Sequence, residues 1–388
     1  MPLAFTHNRL EMKSTNEKTA LVAGASIAGL ATAYWLTKFG YHVTVVELAS
    51  APRLGGAAIN IQGEALASAK RMGIYERLKA NRLQVEQWEF KNANDETVGS
   101  MLVQSEGAPL ADDDNEDIEI ERAKLVTILS DVLPNDVEFL FNNRITALHE
   151  TAEAMHVTFQ QGAPRAFDFV FGCDGLHSGV RKLWFGHEAD YMHFMQHYFS
   201  LTTVNHSLIP PKTAQLYNVP GKVIMLNAYQ GKTDIVFCFF SEKEIPYDYR
   251  NADQQRQLVA DQFADLGWRT AELLAEAQQA DVSYFDKLCQ IRMPSWTKGR
   301  VALVGDAGYC ASAAAGMGAS LAMYGAVAVA EALEKHHGNF EVAFQEYNQQ
   351  LRPFLEEVQA TALTMLSDYL VPRTDEAIRS RNAQGIPF

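Results

Sequence analysis

The stretch TALVAGASIAGL, residues 19–30, decides the fold of this chain. Residues 19–23 form a short apolar run of the kind found in buried parallel strands. A glycine-rich turn follows, and helical spacing then continues from Leu30 to Phe39, where Gly40 ends the helix. YHVTVVE, residues 41–47, predicts a second strand closed by an acid. Strand, glycine turn, helix and strand in this order are typical of a βαβ unit that binds a dinucleotide.

The turn itself has the form GxSxxG, with Ser26 where the dinucleotide fingerprint has its middle glycine. Gly24 permits the tight turn, and Gly29 permits close packing of helix against strand. Ser26 is small enough to leave room for a pyrophosphate. We expect that group to lie against the backbone N–H groups that open the helix at Ile27 and Ala28.

Acids at strand ends support the same interpretation. Glu47 lies 23 residues beyond Gly24, where an acid accepts hydrogen bonds from the adenosine ribose. Asp174-Gly175 and Gly305-Asp306 each follow another apolar run. An acid followed by a small residue can reach a ribose or ribityl hydroxyl and still leave room for the chain of the ligand. Together the three motifs predict an adenine dinucleotide site assembled from separated segments.

The same motifs carry a resemblance to a known family. They read GASIAGL (24–30), GCDGLHSGVR (172–181) and RVALVGDAGYCASAAAGMGASLA (300–322). The chain resembles the FAD-dependent aromatic hydroxylases, the single-component flavoprotein monooxygenases typified by para-hydroxybenzoate hydroxylase. The resemblance covers residues 19 to about 353. Within the family, the spacing and the C-terminal helix look most similar to the tetracycline-inactivating monooxygenases and related antibiotic or polyketide hydroxylases.

This resemblance implies FAD as the cofactor and assigns residues to it. The implied FAD-binding residues are Gly24, Ser26, Ile27, Ala28 and Gly29 at the pyrophosphate turn, Glu47 at the ribose, Arg53 and Asn60 in the segment along one edge of the isoalloxazine, Arg122 at a helix start, Asp174 and Gly175 of the DG motif, Asp306 facing the ribityl-pyrophosphate region, and Gly316, Gly318 and Ala319 near the flavin ring.

The resemblance also implies the reaction, in which NAD(P)H reduces FAD and O2 adds at flavin C4a. The terminal oxygen of that hydroperoxide would pass to an aromatic, phenolic or polyketide-like small molecule, with tetracyclines as one candidate class. A pocket that excludes water would protect the hydroperoxide. No side chain is assigned as a catalyst, because the chemistry is centred on the flavin. The sequence has no second strand–GxGxxG–helix unit for a nicotinamide, which argues against the Baeyer–Villiger and N-hydroxylating classes.

Several positions depart from the family pattern. Residues 311–315, ASAAA, contain no proline before the glycine pair, the usual GQG is Gly316-Met317-Gly318, and Leu48 follows the ribose acid where an arginine is common. Two alternatives therefore stay open: a flavoprotein reductase or dehydrogenase on the same scaffold, and a flavin- or ligand-binding protein without turnover. Insertion of oxygen into a substrate tests the first alternative, and uptake of FAD tests the second.

The expected fold class is α/β, with a Rossmann-like FAD-binding domain of the para-hydroxybenzoate hydroxylase kind, an inserted β-sheet substrate domain and a C-terminal helix. The predicted segments are a flexible leader (1–18), the FAD-binding domain (19–75, 100–180 and 285–352), the substrate domain (76–99 and 181–284), and a C-terminal helix and tail (353–388). On the substrate sheet, Tyr217, Met225, Phe237 and Phe239 are candidates for an aromatic pocket, although such residues more often form simple core.

Composition limits the partners. The 388 residues include 33 Lys and Arg against 47 Asp and Glu, and a formal charge of −14 would repel a nucleic acid. Four widely separated cysteines without a CxxC indicate a reduced, cytoplasmic chain. The charge-free run 307–330 is long enough to span a bilayer, but its Ala, Gly and Ser content favours a buried helix over membrane insertion. We expect a small-molecule substrate and O2 as partners, a monomer or homodimer, and no metal site at His193, His197 and His206.

Overall fold

A parallel sheet forms where the sequence has its short buried apolar runs. The structure is a computed structural model that describes residues 18–102, 117–248, 250–280 and 283–386, so the predicted leader lies outside it except for Lys18. In sheet order, the six strands are β17 (Thr297–Lys298), β18 (Val301–Leu303), β11 (Phe169–Gly172), β1 (Thr19–Ala23), β2 (His42–Val46) and β7 (Glu138–Leu140). All neighbours pair in parallel except β17 with β18. The neighbours β1, β11 and β18 come from distant parts of the chain.

Helices cover this sheet and complete the first core. They are α1 (Ile27–Lys38), α4 (Arg122–Asp131), α9 (Gly318–Lys335) and α10 (Phe340–Thr364). The charge-free run becomes a one-turn helix α8 (Asp306–Tyr309), a loop and the buried helix α9, as the sequence indicated. Among the residues that the structure describes, no helix is both long and apolar enough to cross a membrane.

A second sheet forms the other layer of the molecule. In sheet order, its seven strands are β16 (Ser283–Ile291), β12 (Met192–Val204), β15 (Lys232–Phe240), β14 (Lys222–Tyr229), β13 (Thr213–Val219), β4 (Gln87–Lys91) and β5 (Thr97–Leu102). Two helices, α6 (Ala252–Phe263) and α7 (Thr270–Gln279), cover one face and enclose a separate apolar core. The other face packs against Ala314, in the loop that leads to Gly316 and Gly318 (the glycine-pair loop), and against the end of α10. The expected α/β class, with a sheet-rich second part, is confirmed.

Shorter elements join the two sheets. A two-stranded ribbon of β3 (Ala58–Ile61) and β6 (Ile118–Glu121) lies between them, beside α2 (Glu64–Arg71) and α3 (Tyr75–Ala80). A small antiparallel sheet contains β8 (Ile145–Glu150), β9 (Met155–Phe159) and β10 (Arg165–Phe167), and α5 (Gly179–Trp184) follows the DG motif. The nearby strand β7 does not join this small sheet and instead pairs with β2 in the parallel sheet.

The C-terminal region differs from the expected one. The sequence predicted a C-terminal helix that begins at residue 353. Instead α10 continues through Pro353, followed by a π-helical turn (Met365–Leu370) and α11 (Asp375–Gln384). Proline removes the backbone bond to the carbonyl of Gln349, four residues earlier. Gln349 is exposed, so water can satisfy that carbonyl and the helix continues.

Candidate functional site

The glycine turn lies at the carboxyl end of β1, where a pyrophosphate was predicted. Gly24 has φ of +103°, and a Cβ on it would lie 2.6 Å from the carbonyl oxygen of Cys173. A Cβ on Gly29 would overlap the carbonyl oxygen of Gly24. Both positions therefore require glycine, for backbone conformation at the first and for close packing at both.

Ser26 is the N-cap of α1. Its Oγ accepts a hydrogen bond of 3.3 Å from the Gly29 N–H and donates one of 2.9 Å to the carbonyl oxygen of Cys173. Behind it, the N–H groups of Ile27 and Ala28 open a 12-residue helix, where backbone donors have no partner within the helix. This helix end fits an anionic pyrophosphate.

The carboxylate of Glu47 is held beside the same turn. Its Oε2 accepts the Ala25 N–H at 2.8 Å, and its Oε1 accepts the Ala49 N–H at 2.8 Å. Each carboxylate oxygen can accept a further hydrogen bond, so the predicted contact with a ribose remains available. The two backbone N–H groups thus fix the orientation of the Glu47 carboxylate and leave each of its oxygens able to accept another hydrogen bond.

Asp174 of the DG motif has a structural role that sequence reasoning missed. Its carboxylate accepts the hydroxyl of Ser178 and the N–H groups of Gly179 (2.7 Å) and Val180 (3.1 Å). Asp174 therefore caps α5, and its contact with a cofactor stays a prediction. Gly175, with φ of +81°, makes the turn that allows this cap.

Arg181 joins the DG motif to the third motif. Its side chain is completely buried, and its guanidinium donates to the carbonyl oxygens of Ala307 (2.8 Å) and Leu176 (2.5 Å) and to Glu188 Oε2 (3.0 Å). Two loops at the site are thus held by one side chain. Arg181 is the last residue of the second motif, and no role was predicted for it from the sequence.

Opposite charges face each other across the third motif. Asp306 begins α8, and desolvation raises the pKa of its carboxyl although a hydrogen bond with Cys310 and the charge of Arg122 oppose that shift. Arg122 opens α4, and its Nη1 donates to the carbonyl oxygens of Arg53 (2.6 Å) and Gly55 (2.9 Å). An acid beside a loop-holding arginine suits a ligand that has both hydroxyl and phosphate groups.

Asn60 and the glycine pair are neighbours in the structure. The Asn60 amide lies 4.0 Å from where a Cβ of Gly316 would be, and Gly316 has φ of +66°. Ser320 Oγ donates to the Asn60 carbonyl oxygen at 2.9 Å and fastens β3 to the first turn of α9. Gly318 and Ala319 open this 18-residue helix, so its N-terminal N–H groups also border the site. The predicted site residues end at Ala319, so Ser320 was not among them.

Buried amides hold the loop that leads to the glycine pair. Gln359 Nε2, on α10, donates to the carbonyl oxygens of Ile291 (2.9 Å) and Cys310 (3.2 Å). Gln290 Nε2 donates to the carbonyl oxygens of Ala311 (3.2 Å) and Gln359 (2.7 Å). Neither glutamine was predicted, because only the fold brings β16, α10 and the loop together.

The four aromatic-pocket candidates lie on two different faces of the second sheet. Tyr217, Phe237 and Phe239 belong to the core under α6 and α7, and the Phe237 and Phe263 ring centroids are 5.0 Å apart. Met225 lies on the opposite face, in the cluster that contains Ala314 and Ala315. The structure therefore brings only Met225 toward the glycine-pair loop. Within the described part of the chain, no group of three or more His, Cys, Asp or Glu side chains could hold a metal ion.

These features fit an extended dinucleotide with a flavin at one end. The glycine turn fits a pyrophosphate, Glu47 a ribose, Asp306 and Arg122 a ribityl chain, and the adjoining Asn60 and Gly316 the edge of a flat ring. The helix ends at Ile27 and Gly318 both present backbone donors to this cleft. The predicted FAD therefore matches the residues present, while each individual contact remains a prediction.

Comparisons with known proteins agree with this assignment. A family model described as an FAD binding domain matches residues 17–361. A flavin-dependent monooxygenase of Legionella longbeachae serogroup 1 (strain NSW150) is 32% identical over 352 residues, 90% of this chain and 89% of that protein. The crystal structures of tetracycline destructases Tet(51) and Tet(55) are 34% and 31% identical, each with a TM-score of 0.83. They cover 95% of this chain, over 95% and 94% of their own lengths respectively. The chain belongs to the FAD-dependent monooxygenases of the para-hydroxybenzoate hydroxylase-like family.

Proposed function

We propose that this monooxygenase uses NAD(P)H and O2 to hydroxylate an aromatic, phenolic or polyketide-like small molecule, with tetracyclines as the first candidates. The observation that carries this proposal is the face of the second sheet that meets the glycine-pair loop. Trp88, Phe199 and Met225 lie partly buried on that face, in one apolar cluster with Ala314 and Ala315. Flat, apolar side chains next to the flavin cleft suit a flat, largely apolar substrate.

The strand register supports this location. Met225 pairs with Leu216 on one side and with Val236 on the other, so neighbouring side chains on this face are apolar. The end of α10 covers part of the face through Ala362, and the π-helical turn does so through Met365 and Leu366. When bound, FAD supplies the redox chemistry, and these side chains would orient the substrate and exclude water. The hydroperoxide route implied by the resemblance stays a prediction.

A single dinucleotide cleft supports use of NAD(P)H as a visiting co-substrate. The sequence contains one glycine-turn βαβ unit, and the FAD would occupy it. All four cysteines are unpaired and buried, which supports a reducing compartment such as the cytoplasm. The structural neighbours described as tetracycline destructases support tetracycline as the first compound to test.

The experiment is turnover of the FAD-loaded protein under ¹⁸O2. NADH or NADPH oxidation is followed with tetracycline and a panel of simple phenols, and products are analysed by mass spectrometry. We expect substrate-stimulated NAD(P)H oxidation with one labelled oxygen atom in the product. NAD(P)H oxidation without labelled product from any compound would favour the reductase alternative.

A matched pair of variants tests the location of the pocket. Met225→Ala should raise KM about tenfold, as expected from the loss of roughly 1.4 kcal/mol of apolar contact. Phe239→Leu, on the opposite face, should leave KM unchanged, although it can lower the free energy of unfolding. Equal effects of the two variants on KM would place the substrate elsewhere.

A further inference from the structure

The ribbon of β3 and β6 has one apolar side and one polar side. Ile118 and Ile120 are buried in the first core, so Glu119 and Glu121 project to the other side, toward the second sheet. Glu119 pairs with Asn60 in the strand register. Because Asn60 borders the space next to Gly316, Glu119 lies on the side of the ribbon that faces the flavin cleft and the proposed substrate face.

On the second sheet, Asn227 and Asp234 are register partners. Asn227 is two residues from Met225 along β14, so both side chains lie on the face that meets the glycine-pair loop. Asp234 Oδ1 accepts the hydroxyls of Thr203 (2.5 Å) and Tyr229 (3.0 Å), and its carboxylate also accepts the Ala58 N–H. The ribbon is thus fastened to the sheet by Asp234 at one point.

A second fastening is the ion pair of Lys232 Nζ with Glu121 Oε2, at 2.9 Å. Between these two points Glu119 has a hydrogen bond from the side chain of Asn227. Among the described residues, Glu119 has no partner within ion-pair distance. It is half-buried, so a molecule in the cleft can reach it.

This region contains more acceptors than donors. Asn227 Oδ1 and Glu121 Oε1 are buried and have no hydrogen-bond partner in the described part of the chain, and the Glu121 side chain is about nine-tenths buried. Buried acceptors are normally satisfied, so this region is short of hydrogen-bond donors. Burial and the charge of Asp234 raise the pKa of Glu119 to about 7, and the Asn227 hydrogen bond lowers it.

We propose that Glu119 accepts the proton of a phenolic or enolic hydroxyl group of the substrate, and that Asn227 positions that hydroxyl. This inference rests on the proposed function and names the chemical group that the substrate must carry. The substrate O–H bond breaks, the proton moves to a carboxylate oxygen of Glu119, and both electrons stay on the substrate oxygen. The resulting oxyanion raises the electron density of the adjoining ring, which favours attack by an electrophilic oxygen.

The neighbouring acids are less suited to this step. Glu121 is paired with Lys232, and Asp234 is occupied by Thr203 and Tyr229. The titratable and charged groups that face Glu119 from the described elements are therefore Asp234, Lys232 and Tyr229 on the sheet, and Glu121 on its own strand. Only Glu119 combines access from the cleft with a free acceptor and an adjacent amide.

The test compares wild-type holoenzyme with Glu119→Gln, with the conservative variant Glu119→Asp, and with Glu341→Gln as the control. Glu341 is an exposed acid in the first turn of α10. The first measurement is the visible spectrum of bound FAD, without substrate, between about pH 5.5 and 8.5. We expect a break near pH 7 in wild type and in Glu341→Gln, no break in Glu119→Gln, and a shifted break in Glu119→Asp.

The second measurement is the pH profile of kcat and KM with tetracycline. We expect Glu119→Gln to lower kcat about 100-fold with little change in KM, and to lose the rise of kcat through pH 7. Glu119→Asp should recover part of the rate, since a carboxylate is restored, whereas a purely structural role would not restore the pH profile.

Either of two results would overturn the proposal: a wild-type spectrum without a break near pH 7, or a Glu119→Gln variant that keeps the break or the wild-type kcat profile. A break that survives in Glu119→Gln would show that a group other than Glu119 titrates near the flavin. If wild-type holoenzyme oxygenates neither tetracycline nor any phenol, the proposed function fails. In that case the spectra still show separately whether Glu119 titrates beside the flavin.

Discussion

The hydroxyl of Ser26 donates a hydrogen bond of 2.9 Å to the carbonyl oxygen of Cys173. Ser26 stands where the dinucleotide fingerprint has its middle glycine, and it also caps α1 through the Gly29 N–H. A glycine at this position can form neither bond. The replacement therefore ties the first motif to the strand that leads into the second.

Ser26→Ala should lower the free energy of unfolding by about 1–2 kcal/mol, because it removes an N-cap and the hydrogen bond to the Cys173 carbonyl oxygen. FAD binding should weaken in parallel, since the turn loses its tie to Cys173. Urea unfolding and titration with FAD by flavin fluorescence measure the two effects. Ser130→Ala is the control, because Ser130 Oγ bonds only the Val126 carbonyl of its own helix. Equal effects of the two variants would contradict the role of Ser26.

Arg122→Gln should raise the Kd for FAD about tenfold, equivalent to roughly 1.4 kcal/mol. The guanidinium holds the carbonyl oxygens of Arg53 and Gly55, and its charge faces Asp306, so both the loop and the local charge balance would change. Equilibrium FAD titration provides the measurement, with the exposed Arg379→Gln as the control. An unchanged Kd would show that the loop keeps its position without Arg122.

Ser312→Pro should lower the free energy of unfolding by about 1–3 kcal/mol and should reduce the fraction of protein that binds FAD. Ser312 has φ of +85°, a conformation that proline, with φ near −65°, cannot adopt. Ala313→Pro is the matched variant, because Ala313 opens the 3₁₀ turn, where a proline is tolerated. Thermal unfolding should separate the two, and similar melting temperatures would argue against strain at Ser312.

His177 should make stability depend on alkaline pH. Hydrogen bonds with Asp286 and Glu188 raise the pKa of His177 to about 9, so the folded protein binds an extra proton between about pH 6.5 and 9. The stability that protonated His177 contributes through Asp286 and Glu188 is present at low pH and falls as pH rises through that window. His177→Asn should flatten the fall in urea unfolding experiments, and exposed His193→Asn should not. The effect should be small, because 45% of the His177 side chain is exposed.

Gln359→Met should cost about 1–3 kcal/mol of stability, because the carbonyl oxygens of Ile291 and Cys310 lose the hydrogen bonds from the Gln359 amide. The same change should loosen the loop at Cys310 and weaken FAD binding. Gln349→Met, at an exposed position on the same helix, is the matched control. Urea unfolding and FAD titration should show an effect for the first variant only. Loss of stability without loss of FAD affinity would show that Gln359 stabilises the fold but does not position the loop at Cys310 for FAD.

The local parts of this structure could be predicted from the sequence. The β1–turn–α1–β2 unit could be predicted because buried strands, glycine turns and helix ends have short-range signatures, and Gly24, Gly29 and Glu47 lie where those signatures put them. Asn60 and Gly316 were assigned to one ring by resemblance, and they are neighbours here.

Other features depend on which surfaces meet. Alternation along β15 shows that Phe237 and Phe239 share a face, but it cannot show that this face packs under α6 and α7. The cap formed by Asp174 and the proximity of Glu119 to Asn227 need loops and strands from different segments. The continuation of α10 through Pro353 depends on a solvent-exposed carbonyl, which no local pattern reports.

The order of strands in the parallel sheet has a consequence for how the chain is made. β1 pairs with β11, and β11 with β18, although Val301–Leu303 follow Thr19–Ala23 by about 280 residues. At translation rates of about 5–20 residues per second, the first strand waits on the order of 15–60 s before the last neighbour of its sheet leaves the ribosome. Most of the second sheet lies within residues 192–291 and is synthesised earlier. During synthesis, therefore, every strand of the second sheet is available before the parallel sheet can be completed.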